Sequence, residues 1–187
     1  MVEAIVFLDG AYLSLISKNI GNGKPLVFNI KIFGEQLALK ENLICKKIYY
    51  YTSPPFQGNP PTREEENKKK GYDKFVSKLR NIGLNVREGR CQKIGNDFTQ
   101  NGVDTLITID MIGNAKSIKH FIIVTCDTDF VPAIEDVKIY DNVEVIVYYF
   151  KDFIKHSKFS MSDHILDVCS KKVLLRKEDF DNSRLTN

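Results

Sequence analysis

The chain of 187 residues is 43% hydrophobic and 27% charged, with a formal net charge of +3. That length suits a single domain with its own core, and no window approaches the roughly 18 apolar residues of a membrane helix. The N-terminal run lacks a basic region and ends in Asp9, unlike a secretory leader, and Cys45, Cys91, Cys126 and Cys169 form no C-x-x-C pair, so a reducing, cytoplasmic compartment without zinc or disulfides is expected.

In chain order, Val2–Leu8 is, after Glu3, a continuous apolar run of the kind a strand buried on both faces shows. Ala11–Lys18 follows as a helix, stopped by the turn residues Gly21, Asn22, Gly23 and Pro25. Asn29–Lys40 has helical spacing, and Ile44–Tyr51 is rich in β-favouring residues. The four prolines between Ser53 and Thr62 forbid regular structure and predict an exposed loop. Thr62 is placed to cap a charged helix running to Asn81, with Glu64–Glu66 at its positive end and Tyr72, Phe75, Val76 and Leu79 on one stripe. Leu84–Cys91 reads as a third strand, Gly102–Ile112 as a helix, His120–Thr125 as a strand, Val131–Tyr140 as a helix and Val143–Phe150 as a strand. This alternation predicts an α/β fold, a mainly parallel central sheet with helices on both faces. Residues 1–170 are expected to form the domain, and 171–187 a C-terminal tail, docked or dangling.

In such a sheet, ligands bind outside the carboxyl ends of the strands. Asp9 closes the first strand, and Asp127 and Asp129 follow the strand that ends in Val-Thr-Cys. Asp104 opens a helix. Singly, each such aspartate is commonly a cap. Together they are harder to explain, because two carboxylates ~4 Å apart repel by about 4 kcal/mol at an effective dielectric near 20. Converging oxygen ligands call for a hard cation, Mg²⁺ or Mn²⁺, and such a site suits phosphate chemistry. Asp110, six residues beyond Asp104, lies about 120° off its face of the helix and is expected to have a supporting or surface role.

The same residues carry a resemblance. Phe7-Leu8-Asp9-Gly10-Ala11-Tyr12-Leu13 resembles the FIDGxNL opening of the NYN family of PIN-like nucleases. Asn101-Gly102-Val103-Asp104 is similar to its KGVD-led helix, and Val124-Thr125-Cys126-Asp127-Thr128-Asp129-Phe130-Val131-Pro132 to its SGDSDFxP signature. Ser157 through Asp167, with Asp163, resembles the closing segment. The resemblance spans residues 2–167 and implies a Rossmann-like PIN fold. It also implies cleavage of RNA through Mg²⁺ or Mn²⁺ held by Asp9, Asp104, Asp127 and Asp129. Tyr12 stands where the family usually has Asn, and Cys126 where it usually has Gly. Those departures motivate an alternative, a catalytically weak or inactive RNA-binding or assembly module of the same fold. An aspartyl-phosphate enzyme ranks below both, because Ala11 occupies the place of that class's second Asp.

Ten Lys/Arg against five Asp/Glu fall between Arg63 and Lys93. Arg87, Arg90 and Lys93, which follow a strand toward the acidic edge, are the best candidates for contacting an RNA backbone, with Tyr12 at the mouth of the site. A solvated helix face explains the other cations equally well. Tyr49–Tyr51 suit base stacking or core packing alike. The partner is expected to be RNA, single-stranded or structured, and not a membrane; a homodimer stays open.

Overall fold

The computed structural model describes residues 2–95, 97–151 and 163–184. Strand β1 (Val2–Asp9) leads into helix α1 (Gly10–Ile20), followed by α2 (Ile30–Lys40) and β2 (Leu43–Thr52). The proline-rich loop then reaches α3 (Arg63–Asn81), whose start is fixed by a capping box between Thr62 and Glu65. Next come β3 (Asn85–Glu88), a hairpin of β4 (Arg90–Ile94) and β5 (Asp97–Asn101), and helix α4 (Val103–Ala115). Strand β6 (His120–Val124), α5 (Val131–Asp141), β7 (Glu144–Tyr149), α6 (Asp163–Val168), β8 (Lys171–Leu174) and α7 (Lys177–Asp181) complete the described chain.

Six strands form one sheet in the order β3-β2-β1-β6-β7-β8, every pairing parallel. The order reverses at β1 and β6, as in a doubly wound Rossmann-like sheet. Alternation along each strand divides the core in two. Val6 and Leu8 of β1, Tyr50 of β2 and Val124 of β6 pack with α1, α2 and α7 on one face. Ile5 and Phe7, Tyr49 and Tyr51, and Phe121 and Ile123 pack with α4, α5 and α6 on the other. The α/β expectation thus holds, and all three tyrosines of β2 are core residues rather than a stacking surface. No helix among the described residues is long and apolar enough to cross a membrane.

One expectation needs correction, and one left open is decided. The strand read as Leu84–Cys91 ends at Glu88. Gly89 turns the chain out of the sheet: its N–H donates to Thr52 O at 2.9 Å, and a Cβ there would lie 2.6 Å from Asn101 O. The polar residues that follow form the antiparallel β4–β5 hairpin, whose sequence lacks the apolar alternation that would announce it. The tail expected over 171–187 is, through Arg184, docked: β8 is the sixth strand of the sheet, and α7 packs on α2. Phe180 meets Phe28 and Phe33 with ring centroids 5.0 Å away in both cases, and Lys40 pairs with the buried Asp179. The part of the closing-segment resemblance from 157 to 162 lies outside the described residues.

Phe180→Ala is expected to lower unfolding stability by about 3–5 kcal/mol, the usual cost of emptying a buried phenylalanine site. Urea denaturation measures it, and a loss below about 1 kcal/mol would mean that α7 contributes little to the core.

Candidate functional site

Asp9 is the last residue of β1 and the N-cap of α1. Its Oδ1 accepts from the N–H groups of Ala11 at 3.0 Å and Tyr12 at 3.1 Å. Gly10 lets the helix start so abruptly, because a Cβ there would lie 2.5 Å from Tyr51 O. Across the strand pair, Asp127 caps the short 3-10 turn Thr128–Phe130, its Oδ1 accepting from Asp129 N at 3.0 Å. Between them stands Thr125, fully buried: its hydroxyl accepts from Asp127 N at 3.2 Å and reaches Asp9 Oδ2 in a long 3.5 Å contact. Each aspartate therefore commits Oδ1 to a cap, and its Oδ2 takes no part in that cap.

Asp104 lies in the first turn of α4, after Gly102 in the left-handed region at φ 83°. Asp129 lies in the 3-10 turn. Both are exposed. The acids act on one another. Burial above all raises the Asp9 carboxyl over the ordinary aspartate range, the N–H groups of Tyr12 and Ala11 draw it back, and the charges of Asp104 and Asp127 add to the rise. Asp104 is raised by burial, then by Asp127 and Asp129. Among the described residues, no Lys or Arg forms an ion pair with any of the four. Nor does any group of three or more His, Cys, Asp or Glu stand close enough to form a ready metal cage.

An open pocket of about 590 Å³ sits over this edge, lined by Asp9, Ala11, Tyr12, Leu15, Cys126, Asp127 and Thr128. Tyr12 faces inward rather than standing at the mouth: it is 4% exposed, and its hydroxyl accepts from Phe150 N at 2.8 Å. Burial, followed by Asp9 and Asp127, pushes the Cys126 thiol up to about 11, so it stays a protonated wall of the pocket.

Arg87, at the end of β3, is held by Asp110. Its Nε donates to Asp110 Oδ2 at 2.9 Å, and the buried Tyr51 hydroxyl donates to the same oxygen at 3.0 Å. Asp110 is 12% exposed and braces α4 against β2 and β3, a supporting role. Arg90 and Lys93 are exposed on the hairpin. Thr125 is the residue that the sequence reading passed over. Its place in the T-x-D-x-D-F run was visible, but its bridging position follows only from the pairing of β6 with β1.

A family model for the NYN domain matches residues 3–174. The chain belongs to the NYN domain family. NYN domains are generally nucleases, which agrees with acids gathered at the carboxyl edge of a parallel sheet. The fold also matches the crystal structure of a protein of unknown function from Vibrio parahaemolyticus, with a TM-score of 0.64 and 18% identity over 96% of each chain. The universal stress protein from Archaeoglobus fulgidus in complex with dAMP aligns at a TM-score of 0.26 and 16% identity, over 79% of this chain and 97% of that one. The Aureusimine biosynthetic cluster reductase domain does so at 0.26 and 10%, over 98% and 42%. Neither is similar enough to carry an argument. No curated protein matches the sequence.

Because Asp9 and Asp104 bind protons more tightly folded than unfolded, their contribution to stability is whole below the unfolded aspartate pKa, near 3.9. It is lost as pH rises through the raised folded values. Asp127→Asn removes one repelling charge and keeps the capping oxygen. In chelator at pH 7 it is expected to raise the Tm by roughly 2–4 °C, the effect of about 1 kcal/mol in a domain this size. The gain should fade as pH falls through the raised folded values of Asp9 and Asp104, because protonating them removes the same repulsion. An unchanged or lower Tm at pH 7 would count against mutual repulsion.

Proposed function

We propose that this NYN domain is a divalent-metal-dependent endoribonuclease. The observation that carries the reading is the meeting of Asp9 and Asp127 at the switch point of the sheet, joined through Thr125 and open to one pocket. Parallel-sheet enzymes bind ligands at such a crevice.

The donor chemistry fits Mg²⁺ or Mn²⁺: all four candidates are carboxylates, and none is neutralised by a cation among the described residues. Mg²⁺ is usually held by one or two carboxylates, with waters and substrate phosphate completing its shell. Asp9 and Asp127 would hold the ion, with Asp104 and Asp129 beside them. A bound divalent ion lowers the pKa of a water and stabilises charge on phosphate oxygens. Asp9 and Asp127 are kept in place for this by their caps and by Thr125. The carboxylates of Asp104 and Asp129, without hydrogen bonds among the described residues, are available to orient water or accept its proton. The brace from Asp110 to Tyr51 fixes the helix that bears Asp104. In-line attack would leave a 5′-phosphate and a 3′-hydroxyl.

A second reading, an RNA-binding module with faded catalysis, is motivated by Tyr12 and Cys126, which stand where the family usually has Asn and Gly. One experiment separates the two. With Mn²⁺ and mixed RNA substrates, the wild type is expected to cut, and Asp127→Asn to lose about 100-fold or more, equal to about 2.7 kcal/mol of barrier. Cleavage that persists in the variant would overturn the nuclease assignment. Binding without cleavage by the wild type would establish the second reading.

Thr125→Val removes the bridge and leaves the carboxylates. A drop in kcat with folding intact is expected, together with weaker Mn²⁺ binding by calorimetry. Unchanged kcat and metal affinity would reduce Thr125 to a packing residue.

A further inference from the structure

The β4–β5 hairpin is exposed along nearly its whole length, and a lone two-stranded ribbon is marginally stable in water. Its base is fixed at the carboxyl edge of the sheet by Gly89, whose N–H donates to Thr52 O. Its last residue, Asn101, lies three positions before Asp104. The hairpin thus rises beside the acid site.

Its side chains do not look like those of a mere connection. Lys93 and Phe98 are register partners and so share one face. On that face Phe98 meets Phe56 of the proline-rich loop, ring centroids 5.6 Å apart and tilted 49°. Lys93 Nζ lies 5.8 Å from the centre of the Phe98 ring. The loop bearing Phe56 is itself tied down: Gln57 Nε2 donates to Glu65 O at 2.8 Å, and Glu65 Oε2 accepts from Thr62 N at 2.7 Å. Yet Phe98 stays 60% exposed, and Ile94 near the tip 63%. A ring serving only to anchor the hairpin would be covered. Arg90 and Lys93 form no ion pair among the described residues, although Lys93 also acts on Glu65.

We propose that Phe56 and Phe98, with Lys93 beside them, form a stacking platform that receives the bases of single-stranded RNA next to the acid edge. The proposal rests on the nuclease reading for the site it serves, and it names the substrate class. Exposed aromatic rings flanked by cations are how proteins hold single strands without reading their sequence. In a duplex the base faces are stacked on one another and closed to Phe98. Charge complementarity favours this occupant, because the exposed face sets the Lys93 ammonium beside an aromatic surface, and a nucleic-acid strand offers phosphates beside bases in the same way.

The test compares wild type, Phe98→Leu and Phe98→Trp by fluorescence anisotropy, in EDTA so that nothing is cut. The probes are a labelled mixed-sequence single-stranded RNA of about 12 nucleotides and the blunt duplex of the same length. Leucine keeps an apolar contact to Phe56 but has no π face; tryptophan keeps the face. Phe98→Leu is expected to lose roughly 5- to 100-fold in affinity for the single strand, with Tm unchanged and Phe98→Trp binding as wild type does. Duplex binding should be weak and indifferent to both changes. Equal affinity of Phe98→Leu and wild type for the single strand, or a duplex bound as tightly as the single strand, would overturn the platform. Mn²⁺-dependent hydrolysis of bis(p-nitrophenyl) phosphate, which bears no bases to stack, reads the acid site separately: Phe98→Leu keeps it if the platform alone is damaged. If wild type and Asp127→Asn hydrolyse it equally, the nuclease reading fails while the binding result stands.

Discussion

Strands β1 and β6 run parallel and adjacent, paired from Ile5 with Phe121 to Leu8 with Val124. Parallel pairing puts both carboxyl ends on the same edge of the sheet. The chain leaves β1 into α1 on one face and leaves β6 into α5 on the other, so the helices diverge and open a crevice between the two ends. Asp9 and Asp127 occupy those ends, and Thr125 joins them. Moving either strand one place in the sheet would separate these three residues, and the remaining features of the site would have nothing to surround.

The same residues shape the backbone and carry the charge. Asp9 starts α1 and Asp127 starts the 3-10 turn after β6, so each is held by N–H groups, which for Asp9 favour the ionised form. Burial and neighbouring carboxylates work in the opposite direction. The folded chain thus holds these acids against their mutual repulsion, at a cost in stability. Gly10 belongs to this design, since the approach of α1 to the end of β2 leaves no room for a side chain.

Around this pair, the other elements fix orientation. Arg87 and Tyr51 share one oxygen of Asp110, which ties α4 to β2 and β3 and so sets where Asp104 stands. Tyr12 reaches under the site to the backbone of Phe150, linking α1 to the end of the β7 segment. At the other side of the sheet, β8 and α7 cover what would be an open strand edge and an exposed aromatic cluster at Phe28, Phe33 and Phe180.

Much of this could be read in the sequence because local physics dictated it. The runs Ala4–Leu8, Phe121–Val124 and Val145–Tyr149 carry no charged residue, as strands covered on both faces require, and Thr62 with Glu65 announces the start of α3. The aspartates stood out because they close such runs. The hairpin and the docked C-terminal residues were not legible, since β4, β5 and β8 are short and polar and owe their conformation to partners distant along the chain. Tyr12, Arg87 and Thr125 make the same point within the site. Their positions were plain in the sequence, but whether a hydroxyl or guanidinium faces substrate or a neighbouring group depends on strand register and helix packing. The sequence alone determined the alternating elements, the parallel sheet and the acids at its edge, because burial and capping act over a few residues. Only the tertiary structure decided which acids meet, what braces them and what stands beside them, because those are contacts between segments that chain order leaves far apart.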